Sequence, residues 1–190
     1  MKNRSLGYLP KMLHESRERF LRTMDYVRMD IQALPFARMR LDVIIASFVL
    51  HRIPQLKQSI SDIRNRLVGQ GKLLAVTIGE AHMGELKTWM STFGITSVNW
   101  NAESKFTLQN GTGILSEYFE RVGVFEYEDS LCILSLDPIM DYVISGIRDE
   151  DVQSLQPNLA ELRRFLEVYL KQNGEIRITK ETGVFVANAG

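Results

Sequence analysis

The sequence predicts an α/β fold around a mostly parallel sheet, and three observations carry that prediction. The runs "LDVIIAS" (Leu41 to Ser47) and "KLLAVTI" (Lys72 to Ile78) are nearly continuous aliphatic stretches. Such stretches mark strands buried on both faces of a parallel sheet. Each run is followed by apolar residues at helical spacing: Leu56, Ile60, Ile63 and Leu67 after the first, and Met83, Leu86, Met90 and Phe93 after the second. Strand, helix, strand, helix in that order implies right-handed crossovers with helices on both faces of the sheet. The chain closes on "EIRITK" and "GVFVAN" around "ETG", the pattern of an antiparallel C-terminal hairpin.

The remaining elements follow in chain order. "PKMLHESRERFL" reads as a helix that Pro10 opens, with Leu13, Ser16 and Phe20 on one face. "YVRMDI" from Tyr26 is a short strand. "GQG" (Gly69 to Gly71) stops the helix that carries Leu67, because glycine tolerates the left-handed exit. Residues 101–113, "NAESKFTLQNGTG", form a flexible surface segment. "RVGVFEYED" and "LCILSLD" are two extended pieces, separated by acids and Ser130. "DPIMDYVISGI" is helical, as is "PNLAELRRFLEVYLKQNG", whose Leu159, Leu162, Leu166 and Tyr169 face inward.

Bulk properties bound the function. A chain of 190 residues, 45% apolar and 24% charged, suits one domain over 1–190 with a buried core. Lys+Arg and Asp+Glu number 23 each, so no broad nucleic-acid footprint is expected. Arg17, Arg19, Arg22, Arg28, Arg38 and Arg40 read as a solvated helix face and loop. The single Cys132 excludes an internal disulfide and a zinc site of cysteines, and reads as a small core residue. No metal site is expected. "MKNRSLGYLPKML" has no signal-peptide pattern and no stretch has the length of a membrane span, so the reading is a soluble, cytoplasmic protein.

An open parallel sheet binds ligands at the carboxyl ends of its strands. The places to inspect are therefore Asp30 to Ala33, Ser47 to His51 and Thr77 to His82. In "MDIQALPF", Asp30 either caps the turn that follows through its own backbone or faces a ligand at the strand end.

The stretch from Met29 to Glu80 resembles the middle of a class I S-adenosylmethionine-dependent methyltransferase of the bacterial type 11-like group. Asp30, Leu34-Pro35-Phe36, Leu41-Asp42, Ser47, Leu50-His51, Arg66-Leu67 and Gly69 to Gly71 stand in the register of that family. "FTLQNGTGILSEYFERVGVFEYEDSL" and "GVFVAN" resemble its later part. The resemblance implies a Rossmann-like sheet with a cofactor-side α/β core over 1–93. The part over 94–190 would carry acceptor-side insertions and the closing strands. It implies S-adenosylmethionine as cofactor. Asp30 would accept a hydrogen bond from the adenine amino group, with Ile31 against the ring and Gln32 nearby. Ala46, Ser47 and Phe48 would line the pocket, and His51 would lie at its mouth as the catalytic candidate. The likeness departs at the start. No glycine-rich loop precedes Ser5, and Gly7 stands where the family holds the ribose with a carboxylate. The resemblance thus implies that the first strand and the glycine loop are missing, so that the family's second and fourth strands would pair directly, leave a gap, or borrow a strand from a second copy or another partner.

Methyl transfer asks the protein mainly to align nucleophile, methyl and leaving sulfur. A base is needed only where the acceptor must lose a proton, and His51, Glu80 and His82 lie near strand ends. Trp89 and Trp100 read as core or lid aromatics. The expected activity is methyl transfer to a small-molecule acceptor, without nucleic acid or membrane. The expectation from a different class is a non-catalytic remnant, or a split half, acting through a protein partner.

Overall fold

The computed structural model describes residues 40–96 and 105–190, and residues 40–190 form one compact unit. The helix expected from Pro10, the strand expected from Tyr26, the site residues Asp30, Ile31 and Gln32, and Trp100 lie outside the described residues.

Strand β1 (Leu41–Ser47) leads through a short 3-10 turn (Leu50–Arg52) to α1 (Leu56–Arg66) and β2 (Leu67–Ile78). Then come α2 (Gly84–Thr92), α3 (Leu108–Ser116) and β3 (Arg121–Ile133). The chain ends with α4 (Leu136–Gly146), α5 (Asp149–Val152), α6 (Gln156–Asn173) and β4 (Ile176–Asn188). The sheet order is β1-β2-β4-β3. β1 runs parallel to β2, and β4 is antiparallel to both β2 and β3. This is a mixed, open, Rossmann-like sheet with helices.

Alternation along the strands separates two faces. On one, Ala46, Ala75 and Phe185 pair across three strands in a single row and are all buried. Helix α3 packs there: Phe106 just before it meets Phe185 edge-on at 5.4 Å, and Gly111 lets the ring approach. Helix α1 turns Leu56, Ile60 and Ile63 inward. The other face of β1 is open, with Val43 49% and Ile45 66% exposed. The aliphatic run therefore is not buried on both faces; only the Ala46 side meets packed residues.

β2 stops at Ile78, opposite Thr182, while β3 and β4 stay paired from Tyr127–Thr182 on to Ile133–Ile176. The pair thus continues as a two-stranded ribbon past the carboxyl end of β2. Helices α2, α4 and α6 build a second core against it, with Leu86, Met90, Val143, Leu162, Ile176 and Ile178 buried together. No helix among the described residues is long and apolar enough to cross a membrane.

Several local expectations are corrected. Helix α1 ends at Arg66 because Leu67 is already extended and pairs with Leu41. "GQG" therefore stops no helix; it lies inside β2 at a register shift. A Cβ on Gly71 would sit 3.0 Å from the carbonyl oxygens of Leu41 and Val68, so the glycine serves a close backbone approach. "ETG" makes no turn, because β4 is one continuous strand pairing on both edges. The antiparallel C-terminal pair is β3 with β4. β3 is likewise unbroken across the acids and Ser130. Residues 105–113 are not a surface loop. Phe106 and Thr107 are buried, and a capping box between Thr107 and Asn110 starts α3. Cys132 is exposed rather than core, since the ribbon points it away from Leu131 and Ile133; its Sγ donates to Glu175 Oε2 at 2.9 Å.

Candidate functional site

The carboxyl ends of β1 and β2 lie side by side, with Ser47 opposite Val76. The Phe48 N–H donates to the Val76 carbonyl at 3.0 Å, one residue beyond the strand. Phe48 then takes a left-handed backbone, φ 50°, which turns the chain off the sheet. The three predicted pocket residues separate by direction. Ala46 is buried, Ser47 is exposed, and the Phe48 ring stands 47% exposed at the rim. Leu50, fully buried, anchors the short turn that carries His51.

His51 is half-buried beside this rim. Arg52 Nε donates to its Nε2 at 3.1 Å. Its Nδ1 is buried and makes no hydrogen bond among the described residues. Burial first, then the Arg52 charge, holds its pKa below the ordinary histidine value. The ring is therefore neutral near neutral pH. With Nε2 accepting, Nδ1 carries the proton. In this arrangement His51 has no free lone pair with which to take a proton.

The end of β2 is tied down from three sides. Buried Thr77 donates through Oγ1 to the Phe106 carbonyl at 2.9 Å. The Gly79 N–H donates to the Glu181 carbonyl at 3.0 Å. The Glu181 carboxylate accepts from the Ala81 N–H at 2.7 Å and from Gln109 Nε2 at 2.8 Å. Gln109 Oε1 in turn accepts from the Glu80 N–H at 3.1 Å. Residues 79–81 are thus bracketed by β4 and α3, with Glu80 itself exposed. His82 Nδ1 accepts from the Glu181 N–H at 3.2 Å, so Nε2 bears its ring proton. Burial first, then Lys87, lowers its pKa as well.

Beyond this end a cleft of about 590 Å³ opens over the ribbon, between His82 and Met83 on one side and α4 on the other. Lys180 closes one end and pairs with Asp129 at 2.6 Å. Sequence reasoning located the rim and His82. It passed over Glu181 because "ETG" read as a turn, Gln109 because 101–113 read as a flexible segment, and Asp129 because the acids there read as a break between two extended pieces; Lys180 lay in the strand read over "EIRITK". The usable signal was the unbroken alternation from Ile176 to Asn188.

Among the described residues no group of three or more His, Cys, Asp or Glu side chains is placed to hold a metal ion.

The chain is similar to known proteins in sequence and in fold. Residues 5–75 match the family model described as a methyltransferase domain. No curated protein matches the sequence. A candidate methyltransferase from Bacillus halodurans C-125 superposes with a TM-score of 0.58 at 14% identity, covering 94% of this chain and 79% of that one. The YcgJ protein from Bacillus subtilis gives 0.54 at 10% identity, covering 98% and 79%. The chain has the fold of these proteins, and its residues 5–75 carry the match to a methyltransferase domain. A further match comes from the antibiotic biosynthesis pathway of Anabaena variabilis. That candidate methyltransferase gives 0.52 at 15% identity, covering 82% of this chain and 70% of that one.

Proposed function

We propose that this methyltransferase-like chain binds S-adenosylmethionine at the rim formed by β1 and β2 and methylates a small-molecule acceptor. One observation carries the reading: two parallel strands end together, and the chain leaves the first of them through a left-handed residue that keeps the rim open. The residues present fit an adenosine. Buried Ala46 takes up little space, the Ser47 hydroxyl is open to hydrogen bonding, and the exposed Phe48 ring offers an apolar wall. Asp30, Ile31 and Gln32 would complete the adenine end. Bound there, S-adenosylmethionine would supply a methyl group on a sulfonium already activated for displacement.

The chain's own task is then to orient the acceptor and exclude water. Neither described histidine at the rim offers a free basic nitrogen. His51 Nε2 accepts from Arg52, and His82 Nδ1 accepts from the Glu181 N–H. This supports an acceptor that arrives with its nucleophilic atom ready, rather than one stripped of a tightly held proton.

Calorimetric titration with S-adenosylhomocysteine tests the reading. Saturable heat that weakens in Asp30→Ala supports it, and no heat at millimolar ligand overturns it. An Asp30→Ala protein that binds like the parent removes Asp30 from the site.

A second reading, a non-catalytic remnant or split half working through a protein partner, is favoured by one observation. Val43 and Ile45 of β1 are exposed on one side of the strand. A second copy or another polypeptide that covered this surface would bury apolar area. Light scattering decides: a monomer across a hundredfold range of concentration argues against self-association.

A further inference from the structure

The cleft beyond β2 has no role in holding the cofactor as proposed above, yet its size falls in the range of small-molecule sites, about 300–1,000 Å³. Its walls are apolar. Leu131 and Ile133 come from the ribbon, Pro138 and Ile139 from α4, and Met83 from the start of α2. Cys132, Ser135 and Tyr142 add polar atoms elsewhere in the lining. At the end next to β2, Lys180 and His82 both line the cleft.

These two groups have the same hydrogen-bonding sense. The lysine ammonium only donates. His82 has its Nδ1 occupied by the Glu181 N–H, so the ring nitrogen left for a ligand is the donor Nε2–H. Asp129 pairs with Lys180 through Oδ2 and accepts the Ser130 N–H through Oδ1, so both carboxylate oxygens already have donors. A ligand group that meets this end must therefore accept hydrogen bonds, and an anionic oxygen meets it best. The rest of the ligand must be apolar, because a polar body would lose its hydration against Leu131, Ile133 and Ile139 without compensation.

We propose that this cleft binds an apolar, ring-sized molecule bearing one anionic or readily ionised oxygen, seated with that oxygen toward Lys180 and His82. This inference rests on the methyltransferase reading in that such a molecule would be the acceptor. It agrees with the absence of a free basic nitrogen on His51 and His82, since an ionised oxygen needs no base.

The test uses three probes of one shape on the full chain, without cofactor: 2-naphthoate, 2-naphthalenemethanol and 2-naphthylmethylammonium. The expected order of affinity is anion, then neutral, then cation, with anion and cation differing at least tenfold. The double variant Lys180→Met, Asp129→Asn should remove the preference for the anion while leaving the neutral probe unchanged. Leu134→Asp alters a rim residue that is 72% exposed, so it should leave the melting temperature unchanged and weaken the naphthoate at least tenfold. Equal binding of all three probes, preference for the cation, or a double variant that keeps the anion preference overturns the proposal. A parallel titration with S-adenosylhomocysteine separates the two readings. Cofactor binding without naphthoate binding overturns the cleft and leaves methyl transfer standing. Charge-selective naphthoate binding without cofactor binding does the reverse.

Discussion

Glu181 fills the space that a side chain at position 79 would need. A Cβ built on Gly79 would lie 2.0 Å from Glu181 Cδ. The carboxylate is held there by the Ala81 N–H and by Gln109 Nε2. Gly79 is therefore required by contact, not by backbone dihedral. Gly79→Ala should push Glu181 out of its bracket and cost about 1–3 kcal/mol of stability by overpacking. The partner Glu181→Ala also loses hydrogen bonds, but in the double variant the clash is gone. The two changes should therefore cost less together than their sum, read from denaturant melts of all four proteins. Strict additivity would mean that the two residues do not compete for space.

Phe48 is held in a left-handed conformation while its ring is half exposed at the rim. That conformation costs a residue other than glycine roughly 1–2 kcal/mol. The buried half of the residue offsets a comparable amount. Phe48→Gly should therefore shift the melting temperature little, even though it deletes a large apolar side chain. If the ring covers the cofactor, the same variant should bind S-adenosylhomocysteine about tenfold more weakly. A stable variant with unchanged affinity would take Phe48 out of the site.

Legibility in the sequence tracked the range of the interactions involved. The strand bounds Leu41 to Ser47 and the buried stripe Leu159, Leu162 and Leu166 follow from local period alone and are found as read, although the strand is buried on one face only. The errors fall where a distant strand overrides a local preference. "GQG" has the look of a helix stop, but Leu67 pairs with Leu41 and draws the glycines into β2. "ETG" has the look of a turn, but β4 needs partners on both edges. Gly183 is a glycine because a Cβ there would come within 2.7 Å of Leu108 and 2.9 Å of the Phe125 carbonyl. The same error hid Glu181, the residue that forms the bracket around the end of β2. Thr107 was a different failure, since Thr-x-x-Asn before an apolar run was a readable cap.

That cap can be weighed directly. Thr107 Oγ1 accepts the Asn110 N–H at 3.3 Å, and Asn110 Oδ1 accepts the Thr107 N–H at 2.8 Å. Thr107 is also buried, so its hydroxyl has no water to replace the lost bond. Thr107→Ala should cost about 1 kcal/mol, within the range of about 0.5–2 for such caps. Thr107→Ser, which keeps the oxygen, should recover most of it. A serine variant as weak as the alanine one would place the effect in packing rather than in the cap.

His82 makes the sharpest pH prediction. It lies in the segment between β2 and α2, half-buried, and its Nδ1 accepts the Glu181 N–H. Burial lowers its pKa most; Lys87 and Lys180 push the same way, while Glu181 pulls weakly upward. The folded protein therefore binds this proton less readily than the unfolded chain, whose histidine keeps its ordinary value of 6.5. Stability rises with pH wherever the unfolded state binds more protons. The contribution is thus fully present above 6.5 and declines as the pH falls below that value toward the lower folded one. Melting temperature should fall between about pH 8 and about pH 5, the interval in which histidine charges. His82→Gln keeps an oxygen able to accept the Glu181 N–H and cannot titrate, so it should flatten part of that slope. His51, shifted in the same direction by burial and by Arg52, adds to that slope, and the variant lacking both rings should be flatter still. An assigned NMR titration of the His82 ring gives the direct reading. A midpoint above 6.5 would mean that the ring gains a proton on folding, and would reverse both the predicted slope and the donor role of Nε2–H in the cleft.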